Sequence, residues 1–420
     1  MVLKFREKDL HFTNLIAWIS MGYLLLMSGS VLQILNMGLF QKWNMYIAVA
    51  GLVFLAVKSK RITLRLDLSS TFLILACISI LLIPILWNEM NNFVVNTANF
   101  CLLLTPFIIT KIVGFEDFKR VYLKMMLLLV AVSLLFFNFP DLLAVIPKQV
   151  MVRSDGGWSY DFYYLYAQYS NRSVDIYNRN IGIFWEPGMY QGFVLFAMML
   201  VAAEKPITKG WVFYQLIMAV CVLTIKSTTG YILLLPILLI YLLRFSHRMT
   251  PRTQVLLVVA VLILMIVLLV FPGAFMGVLK VLPGNVEDKL TDDNLSFSTR
   301  MYGMLADLKL AVQHPLGVGV SSVDALRAET IANMNAVSDG ANINTTFTMM
   351  LYHGVIPGIL FLCICCRACM RMSGSALFNG LFLLMSMVII NTEPHYLTLF
   401  FTTAFFYYSS APKPEKKILA

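Results

Sequence analysis

Arg179-Asn-Ile-Gly-Ile-Phe-Trp-Glu-Pro-Gly-Met-Tyr-Gln191 joins a polar, tyrosine-rich segment to a long apolar run. It carries two opposite charges, Arg179 and Glu186, where that run begins. If the run is a helix crossing a bilayer, both charges stand at its mouth. An ionised group there is costly unless it is paired or bathed by a water-filled cavity. Reading this run as a membrane span therefore decides the fold. It also directs the search for function to the polar loops.

Composition supports the span. Of 420 residues, 59% are hydrophobic and 13% are charged, against about 25% charged in an ordinary soluble domain. The mean hydropathy is +0.79. Apolar runs of about 15–25 residues recur along the chain, the length that crosses a bilayer as helix. The net charge of +10 reads as cytoplasmic loop lysines and arginines, not as a nucleic-acid surface. The first apolar run is too long for the core of a signal peptide and no small-x-small cleavage site follows it, so an uncleaved anchor is expected. The seven cysteines lie in or beside apolar runs, so neither polar loop holds a disulfide framework. Cys363-Ile-Cys-Cys-Arg-Ala-Cys369 lacks zinc-finger spacing and reads as small apolar filler at a helix end. No metal and no cofactor is expected.

The sequence predicts an all-α polytopic integral membrane protein, a single domain over 1–420, with about twelve spans. They run Leu10–Leu35, Trp43–Val57, Leu68–Trp87, Phe93–Ile112, Val121–Phe139, Ile183–Ala203, Trp211–Ile225, Tyr231–Leu243, Val255–Phe271, Thr346–Cys366, Ala376–Ile390 and Tyr396–Tyr408. Alternate loops hold 21 lysines and arginines, while the short loops of opposite parity hold only Lys42 and Lys226. By the positive-inside rule both termini are then cytoplasmic, and the two large loops, about 140–182 and 272–345, lie outside. As one helix, 211–243 would be about 50 Å long, too long for a single crossing. Two short spans with Lys226-Ser-Thr-Thr-Gly230 as their outer hairpin fit better, and keep Arg244, Arg248 and Arg252 inside.

The first outer loop carries Arg153, Trp158, Tyr160, Phe162, Tyr163, Tyr164, Tyr166, Tyr169, Arg172, Tyr177 and Arg179. Aromatic faces pack on sugar rings and phenols supply hydrogen bonds, although an interfacial aromatic belt has the same composition. In the second loop, Ser298 is expected to cap a helix over 299–313. Met301, Met304, Leu305 and Leu308 fall on one face of it, suited to a membrane surface, with Arg300 near its start. His314-Pro315 ends it. Leu316-Gly-Val-Gly-Val-Ser-Ser322 then makes a turn that opens a short helix near Ser322, the type of junction that binds phosphate. Asp292-Asp293-Asn294 reads as an exposed turn, not a metal site. Asn344 precedes the tenth span, and His353 lies about three turns into it, in Tyr352-His353-Gly354-Val-Ile-Pro-Gly358. Glu393-Pro394-His395 reads as a solvated outer turn.

Taken in order, Arg179…Phe184-Trp-Glu-Pro-Gly188, Lys226-Ser-Thr-Thr-Gly-Tyr231, Ser298-Thr-Arg300…His314-Pro-Leu-Gly-Val-Gly319 and Asn344…His353-Gly-Val-Ile-Pro-Gly358 resemble the O-antigen polymerase family, related to O-antigen ligases. The likeness covers about the latter half of the chain. It implies an inverting, metal-independent glycosyltransferase in the bacterial inner membrane, acting at the periplasmic face. A nascent polysaccharide on undecaprenyl diphosphate would be transferred to a repeat unit on a second such lipid. Expected partners are these lipid-linked oligosaccharides, membrane lipids, and a chain-length regulator and flippase, with no nucleic acid. Ligases of the superfamily carry a His-Asn pair before the tenth span. Here it reads Ile343-Asn344, which favours polymerase and leaves the acceptor's base unassigned.

A departing diphosphate needs fixed positive charge, and arginine supplies it in bidentate form. Arg179 and Arg300 are the expected clamps, one from each loop, converging over the cleft. Glu186 is the first candidate for general base, with His314 and His353 as rivals. Arg153, Arg172, Tyr190, Lys226 and Asn344 are the expected substrate contacts. An internal Arg179–Glu186 ion pair that only fixes the loop is the structural alternative. A ligase, or a lipid-linked sugar flippase, would also account for a polytopic plan. A flippase, however, is expected to spread charge through membrane depth.

Overall fold

The computed structural model describes residues 7–58, 67–86, 93–152, 159–170, 178–203, 209–245, 295–334, 345–392 and 398–411, with scattered residues between 250 and 263. In chain order the helices are α1 (Glu7–Leu26), α2 (Val31–Leu35), α3 (Met37–Lys58), α4 (Leu68–Leu86), α5 (Phe93–Ile112), α6 (Phe115–Asn138), α7 (Pro187–Ala203), α8 (Lys209–Ile225), α9 (Thr228–Phe245), α10 (Leu295–Gln313), α11 (Val320–Ala332), α12 (Thr345–His353), α13 (Val355–Cys369), α14 (Ala376–Thr392) and α15 (Leu399–Ser410). Between α6 and α7 lie a 3-10 turn, Pro140–Val145, and three strands, β1 (Gln149–Val152), β2 (Ser159–Phe162) and β3 (Ala167–Tyr169). Among the described residues, α5 and α6 are long and apolar enough to cross a membrane, and eight shorter apolar helices accompany them.

The fold is helical, as the sequence predicts, with three departures. The first expected span, Leu10–Leu35, is broken at 27–30. The tenth, Thr346–Cys366, is broken at Gly354 into α12 and α13. The first large loop, part of a chain expected to be all-α, forms an antiparallel sheet in the order β1-β2-β3. Of the ninth expected span, Val255–Phe271, the described residues are 255–257, 259–261 and 263, all of them helical. The expected hairpin inside 211–243 is present: α8 ends at Ile225 and α9 starts at Thr228.

The chain, read from sequence as one domain, forms two compact units: residues 1–125, 298–374 and 390–420 make the first, and 126–297 with 375–389 the second. In the first unit α5 packs against α3, α4, α11 and α15. An aromatic cluster fastens α6 to α15. Tyr122 and Phe400 have ring centroids 4.3 Å apart, and Phe118 lies 4.7 Å from Tyr407. The Tyr407 hydroxyl reaches the carbonyls of Ile109 and Val113, at 3.2 and 2.6 Å, the first of which also accepts the Val113 amide where α5 ends. The break in the first span has a local cause. Ser30 caps α2 by accepting from the Gln33 amide, and Gln33 Oε1 accepts from the Gly29 amide. The Ser28 hydroxyl donates to the Leu24 carbonyl, and its oxygen accepts the amide of Phe400 at the start of α15.

In the second unit α7 is walled in by α8 and α9. Every residue from Pro187 to Ala202 is buried, as expected of a helix apolar on all sides. Pro187 occupies its first position, where the missing N–H costs nothing. The sheet packs Tyr163 and Tyr166 with Leu143, Val132, Phe136 and Ile146. Lys148 Nζ and the Ser170 hydroxyl donate to the two oxygens of buried Asp161, both at 2.9 Å.

Candidate functional site

In the second unit the end of the first outer loop is bonded to the end of α8. The Asn180 amide donates to the Thr224 carbonyl at 3.1 Å. Its side-chain Nδ2 donates to Thr224 Oγ1 at 2.9 Å and to Ser133 Oγ at 3.2 Å. Arg179 Nε donates to the Ile225 carbonyl at 3.2 Å. The next residue, Lys226, has φ +53, the left-handed conformation that terminates helices. Two cations thus share the C-terminal end of α8, where the helix dipole favours them. The same turn opens α9, whose first amides have no carbonyl one turn back. Cations beside a helix N-terminus can hold a phosphate oxygen.

Glu186, half-buried, precedes α7, and its carbonyl accepts the Tyr190 amide at 3.2 Å. The acid at a helix start is favourable by itself. Tyr190 is a correction: the expected substrate contact is wholly buried, with its hydroxyl 2.8 Å from Ser133 Oγ and 3.4 Å from Cys221 Sγ. It joins α6, α7 and α8. The loop-one aromatics divide similarly. Tyr160, Phe162, Tyr163, Tyr166 and Tyr169 are buried, the rings of Tyr160 and Tyr169 5.3 Å apart, while Tyr164 is exposed. Most of the expected sugar platform is the core of a small sheet.

In the first unit two stretches singled out from sequence interlock through their backbones. The Val318 amide donates to the Leu351 carbonyl at 2.8 Å and the Val355 amide to the Pro315 carbonyl at 2.9 Å. Gly317 and Gly354 face each other at φ +89 and +92. A methyl group on Gly317 would stand 2.7 Å from the Gly354 nitrogen. Gly317 therefore serves this contact, whereas Gly319, at φ +76, faces Asn96. The Gly317 and Val318 amides already meet the carbonyls of His314 and Leu351, so that part of the expected phosphate turn is committed elsewhere. The clasp brings His314-Pro315 to His353-Gly354. His353 is buried, edge-on to Tyr352, and neither ring nitrogen has a hydrogen-bond partner.

Helix α10 starts at Leu295, so Ser298 lies inside it and not at its cap. Its expected apolar stripe faces outward: Met304, Leu305 and Leu308 are exposed, followed by Val312 and Leu316. Its inner face buries Ala306, Leu310, Ala311 and one acid, Asp307. Arg327 of α11, itself fully buried, donates from Nε to Asp307 Oδ1 at 2.6 Å and from Nη2 to Oδ2 at 3.3 Å. Thr348 of α12 donates to Oδ2 at 3.2 Å, and exposed Asp324 takes the Arg327 Nη1 at 3.0 Å. Burial pushes the Asp307 carboxyl up. Burial also works to lower the Arg327 guanidinium, and Asp307's hydrogen bonds and charge outweigh it, raising it. The two directions disagree over which partner holds the proton. The arginine decides, because a guanidinium forked onto a carboxylate keeps its proton and thereby keeps Asp307 ionised.

Sequence reasoning missed this pair, although periodicity reveals it. Asp307 falls three and four residues from Gly303, Leu310 and Ala311, and Arg327 falls among Val323, Thr330 and Ile331, all buried. Arg153, Arg172, Asn344, Asp292-Asp293-Asn294 and Glu393-Pro394-His395 lie outside the described residues, as does the Arg300 side chain. The expected substrate contacts at Arg153, Arg172 and Asn344 therefore have no structural account. Among the described residues no cluster of three or more His, Cys, Asp or Glu side chains is placed to hold a metal ion. No family model matches the chain, and no curated protein matches it.

Proposed function

We infer that this chain is a polytopic membrane glycosyltransferase that polymerises lipid-linked oligosaccharides, as its resemblance to O-antigen polymerases implies. In this reading about twelve helices span the bacterial inner membrane, with both termini cytoplasmic and both large loops periplasmic. Two observations support the membrane part. Apolar side chains face outward along many helices, among them Leu52, Val53, Ile78, Leu81, Leu216 and Val220. On α10 the apolar face is outside and the ion pair inside, the inverse of a helix on a water-soluble protein.

One observation carries the chemistry: Arg179 is bonded to the peptide that adjoins Lys226, at the opening of α9. Positive charge fixed there suits a diphosphate leaving group. Arg300 remains in the proposal as a phosphate-binding arginine on the strength of the sequence. Glu186 is the proposed base, and His353, with two unpartnered ring nitrogens, is its rival. No cofactor is proposed.

Deletion in the cell of origin, read as a polysaccharide ladder on a gel, tests the reading. Loss of a polymerase leaves one repeat on the core, whereas loss of a ligase leaves core alone. Purified protein given lipid-linked repeats and no second compartment is expected to make polymer. Absence of polymer in an otherwise competent assay would favour a flippase. Arg179→Ala, Arg300→Ala and Glu186→Gln are each expected to abolish long chains at normal membrane levels. Wild-type chain lengths in all three would remove the site assignment.

A further inference from the structure

Gln191 is a buried polar residue that this chemistry does not use. It lies on α7, is 2% exposed, and its side-chain oxygen has no hydrogen-bond donor. That oxygen points at the first turn of α9: a methyl group on Gly230 would stand 2.7 Å from it. Glycine at 230 is what permits the approach. A carbonyl oxygen sealed from water without a donor is destabilising, so a structural role is a poor explanation for glutamine here. Leucine or methionine would fill the same volume with no such penalty. The oxygen also lies on the turn that Lys226 and the α9 N-terminus make electropositive. An acceptor beside an anion-binding turn suits a ligand with both groups in sequence, phosphate oxygens and then a hydroxyl.

We propose that the first turn of α9, with Gln191 against it, binds the junction of a glycosyl diphosphate. The α9 amides and Lys226 take the phosphate next to the sugar, and Gln191 Oε1 accepts a hydroxyl hydrogen from that sugar. This rests on the proposed function and adds to it the group that distinguishes a sugar-bearing lipid diphosphate from the bare one. A polymerase needs that distinction, because bare lipid diphosphate is its by-product.

The test uses the full-length protein in lipid nanodiscs and two probes, farnesyl diphosphate and its glucosyl ester. Lys226→Gln is expected to weaken both by about tenfold or more. Gln191→Leu is expected to weaken only the glucosyl ester, by about three- to tenfold, with a melting temperature no lower than wild type. Gln191→Met repeats the test should the leucine variant fail to fold. The inference is overturned if the Gln191 variant that folds binds the glucosyl ester as wild type does, or loses both probes equally. It is also overturned if wild type binds neither. Polymer formation separates the two ideas. Polymer made by a protein whose ester affinity ignores Gln191 sinks the inference alone. Ester binding that depends on Gln191, in a protein that makes no polymer, sinks the functional reading alone.

Discussion

Arg327 grips Asp307 through two nitrogens, at 2.6 and 3.3 Å, with both side chains cut off from solvent. The pair ties α11 to α10, and Thr348 ties α12 to the same carboxylate. Taking two charges out of water costs several kcal/mol per ion, which mutual attraction roughly offsets. Removing one partner is therefore far worse than removing both. Arg327→Met is expected to destabilise the protein by about 3–5 kcal/mol. Adding Asp307→Leu is expected to restore most of that loss. Thermal melts of the single and double variants in detergent check this, and equal melting temperatures for the two would contradict it.

The clasp at Gly317 and Gly354 makes a sharper demand on sequence. Alanine at 317 is placed in a left-handed conformation and against a backbone nitrogen that cannot yield as a side chain does. Gly317→Ala is expected to cost about 2 kcal/mol or more. Gly380, which has open space around it, is the control: alanine there is expected to be neutral or slightly stabilising, because it sits within α14. Protein yield and melting temperature in membranes report both.

His353 offers a variant in which stability and chemistry separate. Neither ring nitrogen has a partner, so His353→Leu breaks no hydrogen bond and removes a buried polar group. Its melting temperature is expected to match or exceed that of wild type. If His353 takes the acceptor proton, long chains disappear from the gel all the same. A stable variant with normal chains would leave Glu186 as the candidate base.

Lys148 links the small sheet to pH. The hydrogen bond and charge of Asp161 raise its ammonium above the ordinary value. A folded-state value above the unfolded one means that the contribution is complete below about pH 10.4. It is lost as pH climbs through the folded value. Protease nicking of the first loop is expected to accelerate at that alkaline edge, and Lys148→Met is expected to remove the pH dependence. An identical profile in the variant would show that Asp161 is held by Ser170 alone.

Much of the helical plan was legible because the apolar runs are long and the breakers are strong. The α4 and α5 boundaries follow the runs nearly residue for residue, and Lys226-Ser227, at the head of the expected hairpin, divides α8 from α9. The Ser28-Gly29-Ser30 break was hidden by apolar residues on both sides, and its partners include Gln33 and the distant Phe400. The sheet was overlooked for a chemical reason. Tyr160 and Phe162, and Ala167 and Tyr169, have the two-residue period of a strand, yet tyrosine is equally at home at a membrane surface or on a sugar. Charge misleads in the same way: Asp307 resembles a solvated residue until Arg327, twenty positions later, is brought beside it.

Helix α7 is buried along nearly its whole length, yet α8 and α9, which pack against it, are synthesised after it. On leaving the ribosome α7 carries Gln191 with no Gly230 to receive it, and its apolar surface stays uncovered by α8 and α9 until the hairpin arrives. A pause or nonsense codon placed between residues 203 and 228 is where a half-made chain is most exposed to quality-control proteolysis.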